Sequence, residues 1–347
     1  MAATRSLARN LAEYIPARVV ASIIKCFPPE RNQATADAAA SIYARLSPGR
    51  LTRARDNVQR SFPQWTREQA HRTATDSIKH LFRLALVDAM QMDQFIHPDQ
   101  WWNYVDMREA GTAHQTLIGE QPAIMVTGHL GNWELMGYTL SMLGVRLHAI
   151  ARPLDNPLLN RWLLGIREAW GLHVLTKFGA SQEMQAILER GEHLGFIADQ
   201  NAGDRGMFVP FFGRLASAYK SIALLAITQN LPVVVAAAFR TAPGLHYQWR
   251  VQEVIEPHQW ADVDDPVYWL TARYTWGLEQ LVRSEPSQYL WLHRRWKSRP
   301  RHERDGVAMP ALLEGRIQGL DWLSDDERLA IIEHSNVEAI GQGQAKP

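Results

Sequence analysis

Residues 123–137 read AIMVTGHLGNWELMG, and this stretch decides the fold class. Its first half contains a short apolar run, Ala123–Val126, with the length of a buried strand. After Gly128 the pattern becomes helical from Trp133, and Asn132 is placed to cap that helix. A strand that leads directly into a helix predicts the first half of a βαβ unit.

The same alternation of apolar runs and helical patterns continues along the chain. Further strands are predicted at Leu147–Ala151, Leu194–Ala198 and Pro232–Phe239. Helices are predicted at Trp133–Leu143, Pro157–Trp170, Gln182–Arg190 and Ala216–Thr228. The alternation predicts an α/β domain over residues 111–300, with a mostly parallel central sheet flanked by helices. Ligands of such sheets bind at the carboxyl ends of the strands.

The flanking regions have a different pattern. Residues 1–110 are predicted to form a helical N-terminal region, with a long helix over Thr66–Met92 that Thr66 caps. Tyr247–Val254 alternates like a strand exposed on one face, and Asp265-Pro266 begins a helix that runs to about Arg283. Residues 301–347 read as a polar C-terminal tail with one helix, to which the sequence assigns no role.

The composition is that of a globular protein and limits the possible functions. The chain has 347 residues, 46% of them hydrophobic, and a formal net charge of +1. A net charge this close to zero argues against a dedicated nucleic-acid-binding protein. The single cysteine, Cys26, excludes an intramolecular disulfide and a Cys-based zinc site, and it fits a reducing compartment.

The most apolar stretch near the N-terminus, Leu11–Phe27, is interrupted by Pro16 and by charged residues. A membrane span needs about 20 predominantly apolar residues, so we predict neither a transmembrane helix nor a signal peptide here. Two interpretations stay open: a helix that lies in the membrane interface, and an ordinary amphipathic helix packed on its own domain.

His129 and Glu134 are the candidate catalytic pair. An imidazole has an unperturbed pKa near 6.5 and can accept a hydroxyl proton at neutral pH. A carboxylate bonded to its other nitrogen fixes the tautomer and stabilises the imidazolium. The spacing H-x4-E alone is weak evidence, because such pairs are often structural. The sequence contains neither a G-x-S-x-G elbow nor an H-E-x-x-H motif, so we predict neither a covalent acyl-enzyme nor a metal site.

Five blocks in order strengthen this interpretation. They are GHLGNWE (128–134), ARPLDNPLLNRW (151–162), FIADQNAGDRGMFVPFFGRLASA (196–218), LPVVVAAAFR (231–240) and PSQYLWLHRRWKSRP (286–300). In sequence and spacing they resemble the bacterial lipid A biosynthesis acyltransferase family, part of the glycerolipid acyltransferase superfamily with its H-x4-D/E motif. The resemblance covers residues 110 to 300.

The resemblance implies direct transfer of a fatty acyl chain from acyl-ACP or acyl-CoA to a lipid hydroxyl. His129 would be the base and Glu134 its orienting partner, with no cofactor beyond the thioester co-substrate. The implied acceptor is a lipid A precursor, and the implied location is the cytoplasmic face of the bacterial inner membrane. Members of this family commonly carry an N-terminal hydrophobic anchor, and this chain departs from that pattern.

Several further residues are predicted to bind substrate. Arg152 matches the arginine of the family's R-P-x-x-N-P block, and a guanidinium there suits a phosphate or a developing oxyanion. Asp199 matches the acidic position of the third block and would position Arg152 or the acceptor. Asn201 stands where some relatives carry a second acid. The complete predicted set is Arg152, Asp199, Asn132, Arg167, Phe211 and Phe212, with the two phenylalanines as an apolar lip for the acyl chain.

A basic run, His293–Arg304, is a candidate surface for anionic headgroups, acyl carrier protein or the phosphates of coenzyme A. Two other functions stay open at this point. One is the same chemistry on a different acceptor: a phospholipid, an ornithine-type lipid or another glycolipid. The other is a membrane-associated lipid-binding protein without activity.

Overall fold

The computed structural model describes residues 6–119, 121–151, 153–168, 172–176 and 180–344. The N-terminal region is helical, as predicted. Its main helices are α1 (Leu7–Ile24), α2 (Pro29–Leu46), α3 (Pro48–Ser61), α4 (Arg67–Arg83) and α5 (Ala89–Phe95). No helix in these described ranges has both the length and the apolar character needed to cross a membrane.

The long helix predicted over Thr66–Met92 is confirmed. The Thr66 side chain accepts a hydrogen bond from the amide of Gln69, and the Gln69 side chain accepts one from the amide of Thr66. This reciprocal capping box satisfies amides that the first turn would otherwise leave unpaired. A π-helical turn at Leu84–Asp88 joins α4 to α5 and places Asp88 in the interior.

A seven-stranded sheet forms the centre of the molecule, in the order β1-β9-β8-β2-β5-β3-β4. Its strands are β1 (Val105–Asp106), β2 (Ile124–Thr127), β3 (Leu147–Ala151), β4 (His173–Thr176), β5 (His193–Ile197), β8 (Val233–Ala242) and β9 (His246–Ile255). Neighbouring strands are parallel except for the antiparallel pair β8–β9. The predicted α/β class with a mostly parallel sheet is therefore confirmed.

Helices cover both faces of this sheet, and its central strands β2 and β8 are accordingly apolar over most of their length. They are α6 (Gly111–Ile118), α7 (Trp133–Met142), α8 (Pro157–Glu168), α9 (Ala180–Glu189), α10 (Lys220–Gln229) and α11 (Pro266–Ser284). Alternate residues of β2 enter different cores: Ile124 and Val126 pack in one with α10 and α11, and Met125 packs in the other with α7.

The helix predicted over Ala216–Thr228 is wrong in its first part. Residues Arg214–Ala218 form strand β7, which pairs with β6 (Met207–Phe211) in a separate antiparallel hairpin, and α10 begins only at Lys220. Phe212 and Gly213 form the two-residue turn, with φ of 53° and 67°. A pair of positive φ angles matches the twist of a hairpin and fixes this register.

The C-terminal region is not a tail with one helix. It contains α12 (Arg301–Asp305), α13 (Ala311–Gln318) and α14 (Asp325–Gln344). Ile317, Leu320 and Ile331 pack with Leu215 of β7 and Tyr268 of α11 in a third core. Burial of these side chains attaches the region to the rest of the chain. The domain boundaries at residues 110 and 300 stay a prediction.

Candidate active site

The candidate site lies at the carboxyl end of β2, a central strand between β5 and β8. The strand ends at Thr127, and His129 follows in the turn that leads to α7. The side chain of Asn132 accepts a hydrogen bond from the amide of Leu135 at 2.9 Å, which confirms the predicted cap of this helix. The strand and the capped helix together fix both ends of the turn that carries His129.

His129 is hydrogen-bonded to Asp199, which follows the neighbouring strand β5. The distance from Nδ1 of His129 to Oδ1 of Asp199 is 2.8 Å, and the carboxylate is 2% exposed. Since a carboxylate only accepts hydrogen bonds, Nδ1 carries the proton. Nε2 is then an acceptor, and the side-chain nitrogen of Gln200 lies 3.3 Å from it.

The electrostatics of this pair favour an imidazolium beside a carboxylate. Burial lowers the pKa of His129, but the charge and hydrogen bond of Asp199, helped by the charge of Glu134, outweigh it and raise the pKa overall. Burial raises the pKa of Asp199, but the pairing with His129 outweighs it and lowers that pKa overall. The arrangement stabilises a proton taken up at Nε2.

The prediction that Glu134 bonds to His129 is wrong. Glu134 lies in the first turn of α7, and its side chain is paired with Arg167 of α8. The distance from Nε of Arg167 to Oε2 of Glu134 is 2.7 Å, and Nη2 donates to the other carboxylate oxygen. This two-pronged pairing occupies both oxygens of Glu134, so Asp199 has the position that we expected Glu134 to take.

Glu134 and Arg167 line a narrow cavity of about 60 Å³ between the sheet and helices α7 and α8. The rest of its wall is largely apolar and includes Met125, Ala149 and Phe196. This volume is far below the roughly 300 Å³ of a small ligand pocket, so the cavity as it stands does not hold a hydrocarbon chain.

Three of the other predicted site residues lie in the interior. Arg152 lies outside the described residues. Asn132 is completely buried, and its amide nitrogen donates to Asp88, so its polar groups are used within the protein. Phe211 and Phe212 are 1% and 4% exposed and pack with other aromatic rings, so the predicted apolar lip is wrong.

The basic run His293–Arg304 does not form one surface. Arg295 is 2% exposed and donates to the backbone oxygen of Ser217. Arg299 is paired with Glu303 and Glu338. Arg295 is buried and Arg299 is ion-paired, so these two guanidinium groups are not part of an exposed cationic surface.

A buried polar cluster contacts the turn that carries His129. Arg240, Tyr247 and Asn132 all donate to the carboxylate of Asp88, the last residue of the π-helical turn. Sequence analysis did not identify this cluster, because its members are up to 159 residues apart in the chain. All three bonds end on Oδ2 of Asp88, whereas Oδ1 of Asp88 and Nε of Arg240 have no hydrogen-bond partner among the described residues. The cluster links the loop that carries the base to the π-helical turn.

Gly131 is the residue of this loop with the least space. Its φ is 56°, and a Cβ atom built there would lie 2.0 Å from the backbone oxygen of Ala238. We expect Gly131→Ala to shift the loop, to lower the free energy of unfolding by about 2–4 kcal/mol and to reduce acyl transfer at least tenfold. Thermal unfolding and turnover measured on the same preparation test this. Gly165→Ala, at a site with open space around it, is the control and keeps wild-type turnover.

Comparisons with known proteins identify the family of the chain. The family model described as bacterial lipid A biosynthesis acyltransferase matches residues 7–298. A lipid A biosynthesis palmitoleoyltransferase of Escherichia coli is 22% identical over 249 residues, 71% of this chain and 78% of the relative. A lipid A biosynthesis lauroyltransferase of the same organism is 29% identical over 157 residues, 44% of this chain and 48% of the relative. The family match extends over most of the chain, which therefore belongs to the bacterial lipid A biosynthesis acyltransferase family and is an acyltransferase.

Proposed function

We propose that this enzyme transfers a fatty acyl chain from a thioester, acyl-ACP or acyl-CoA, to a hydroxyl of a lipid A precursor. The observation that carries the proposal is the pair of His129 and Asp199 at the carboxyl end of β2. The family match and the names of the relatives support acyl chemistry on a lipid.

The geometry supports a reaction without a covalent acyl-enzyme. The acceptor hydroxyl attacks the thioester carbonyl carbon while Nε2 of His129 takes the hydroxyl proton. Asp199 stabilises the resulting imidazolium through the bond to Nδ1. The C–S bond then breaks, and the departing sulfur receives the proton from Nε2. The products are an ester and a free thiol, and His129 returns to its neutral form.

Gln200 occupies the position that the acceptor hydroxyl has to take. Its side-chain nitrogen lies 3.3 Å from Nε2 of His129, within reach of the lone pair that accepts the proton. When the hydroxyl binds, this amide has to turn away, and its N–H groups then become free to donate to the thioester carbonyl oxygen. Such donors stabilise the oxyanion that forms during attack.

We propose that Arg167 and Arg152 bind negatively charged groups of the substrates. Two of the three guanidinium nitrogens of Arg167 are held by Glu134, which fixes the direction of the third. We propose that Glu134 acts by orienting Arg167 toward the substrate. The role of Arg152 in binding a phosphate of donor or acceptor stays a prediction.

Transfer to purified lipids tests the proposed acceptor class. The enzyme is incubated with acyl-ACP or with acyl-CoA, and with either an acylated glucosamine lipid or a lysophospholipid, and products are identified by mass spectrometry. We expect the glucosamine lipid to gain the mass of one acyl chain, and His129→Ala to form no product. Transfer to the lysophospholipid alone would assign the enzyme to a different acceptor. Absence of product with every pair would favour a lipid-binding protein.

We further propose that the enzyme is peripherally attached to the cytoplasmic face of the bacterial inner membrane through α1. Exposed apolar side chains recur every four residues along α1 and just beyond its end, each between 37% and 67% exposed: Leu7, Leu11, Ile15, Val19, Ile23 and Phe27. Because a helical turn has 3.6 residues, this row winds around the helix, and Val19 and Ile23 share a face. Asn156, in the segment that follows β3, donates to the backbone oxygen of Asn10 and to Glu13, and these bonds attach α1 to the carboxyl end of that strand.

Charged substitutions on α1 test this attachment. We expect the double variant Val19→Glu, Ile23→Glu to lose most of its binding to liposomes that contain anionic lipid, because two carboxylates cannot enter the interface. Transfer to detergent-dispersed lipid should change less than twofold, as roughly expected for exposed sites. Leu329→Glu, Val337→Glu, at exposed apolar positions of α14, is the matched control. Equal binding of both double variants would contradict attachment through α1.

A further inference from the structure

A groove of about 1470 Å³ lies outside the proposed active site. Its walls are the end of α3, the turn of the β6–β7 hairpin, one side of α11 and one side of α14. None of the side chains that we assign to catalysis lines it. Many residues that line the groove come after residue 298, where the family match ends. The family match therefore does not cover this part of the groove.

Arg214, the first residue of β7, lines this groove and is 8% exposed. Its Nη2 is 3.3 Å from a carboxylate oxygen of Glu338, and its guanidinium lies over the ring of Trp296. Among the described residues, its Nε and Nη1 have no hydrogen-bond partner. A buried cationic donor without an acceptor is costly, so this arrangement has capacity for a further anion.

Three basic side chains contact the carboxylate that lies beside Arg214. Burial lowers the pKa of Arg214, Glu338 opposes this, and the charges of Arg299 and Arg60 lower it further. The single carboxylate of Glu338 is shared by Arg214, Arg299 and His334. Arg299 also pairs with Glu303, so a carboxylate stays beside Arg299 when Glu338 turns away from Arg214.

We propose that this groove binds an organophosphate, with its phosphate against Arg214 and Arg299 where the carboxylate of Glu338 lies in this structure. A phosphate has three acceptor oxygens and up to two negative charges, and guanidinium groups bind it with paired N–H donors. Trp276 and Trp322 line the same groove and provide flat surfaces for the organic part of the ligand.

Glu338 has to move when the phosphate binds. Its side chain is 30% exposed and lies near the end of α14, so it can turn toward solvent. Removal of its negative charge should therefore favour the ligand, while removal of a guanidinium should disfavour it. These opposite effects distinguish a phosphate site from a groove that binds apolar molecules without regard to charge.

Calorimetric titration of the full-length enzyme tests this site. The probes are inorganic phosphate, adenosine 3′,5′-bisphosphate, dihexanoyl phosphatidate and, as a carboxylate of similar chain length, hexanoate. We expect at least one organophosphate to bind more tightly than inorganic phosphate, and hexanoate to bind weakly. Tighter binding of the bisphosphate identifies a nucleotide-type ligand, and tighter binding of the phosphatidate identifies a lipid headgroup. Absence of binding by every phosphate, or equal binding of hexanoate, would overturn the proposal.

Variants locate the binding in this groove. Arg214→Gln should weaken the best phosphate probe by about tenfold or more, and Glu338→Gln should strengthen it several-fold. If Arg214→Gln does not fold, Arg60→Gln at the exposed rim replaces it and should weaken binding several-fold. Glu333→Gln, on α14 but outside the groove, is the control and should bind as wild type. Weaker binding by Glu338→Gln, or unchanged binding by the arginine variants, would contradict the site.

Discussion

Replacing His129 with Ala lowers the rate of acyl transfer by about 100- to 10,000-fold, the usual range for loss of a general base. The fold is expected to survive, because His129 lies in a turn that Asn132, Gly131 and their partners hold independently of the imidazole. Single-turnover rates with saturating donor and acceptor measure the effect on the chemical step. Retention of more than about a tenth of the wild-type rate would remove His129 from the mechanism.

The pH dependence of this reaction follows from the same imidazole. A general base acts only when it is neutral, so kcat/KM falls as the pH decreases through the pKa of His129 in the free enzyme. Because that pKa is raised in the folded protein, the acid limb is expected above the ordinary value near 6.5. An acid limb well below this value would contradict the pairing of His129 with Asp199.

Replacing Asp199 with Asn is the second large effect, and we expect a loss of about 100- to 10,000-fold in kcat. Asn is similar in size to Asp but is uncharged, so it cannot stabilise the imidazolium. Its amide can also donate to Nδ1, which places the imidazole proton on Nε2 and removes the acceptor that the reaction needs. The KM for the acceptor is expected to change much less than kcat.

Glu134→Gln is the informative comparison for Asp199→Asn. The amide of this variant keeps one hydrogen bond to Arg167 but has no negative charge, so Arg167 is held less firmly. We therefore expect turnover to fall by at least about tenfold. The acid limb of kcat/KM should move little in this variant. In Asp199→Asn the acid limb should move to lower pH, because the carboxylate that stabilises the buried imidazolium is lost.

Features that depend on neighbouring residues in the chain could be predicted from the sequence. The strand before His129, the Asn132 cap and the helix that begins at Pro266 are each encoded within a few residues. Strand β1 has only two residues, and β4 reads HVLT, with a polar residue at each end rather than an apolar run like that of β2. The sequence analysis accordingly named neither of them.

The partners within the site could not be predicted in the same way. His129 and Asp199 are 70 residues apart, and they meet because β5 lies beside β2 in the sheet. Glu134 and Arg167 are 33 residues apart and meet through the contact of α7 with α8. The motif spacing suggested a local pair of His129 with Glu134. The strand order instead brings Asp199 to His129, and the two-pronged hydrogen bonding of Arg167 holds Glu134.

Asp199, rather than Glu134, orients the catalytic imidazole of His129 and stabilises its protonated form. Nitrogen-15 NMR of histidine-labelled enzyme tests it most directly, with the signal of His129 assigned by its loss in His129→Ala. The account predicts a neutral imidazole with its proton on Nδ1 and a pKa above the ordinary value near 6.5. It also predicts a clear fall of that pKa in Asp199→Asn and little change in Glu134→Gln. A proton on Nε2, or a larger fall in Glu134→Gln than in Asp199→Asn, would contradict it.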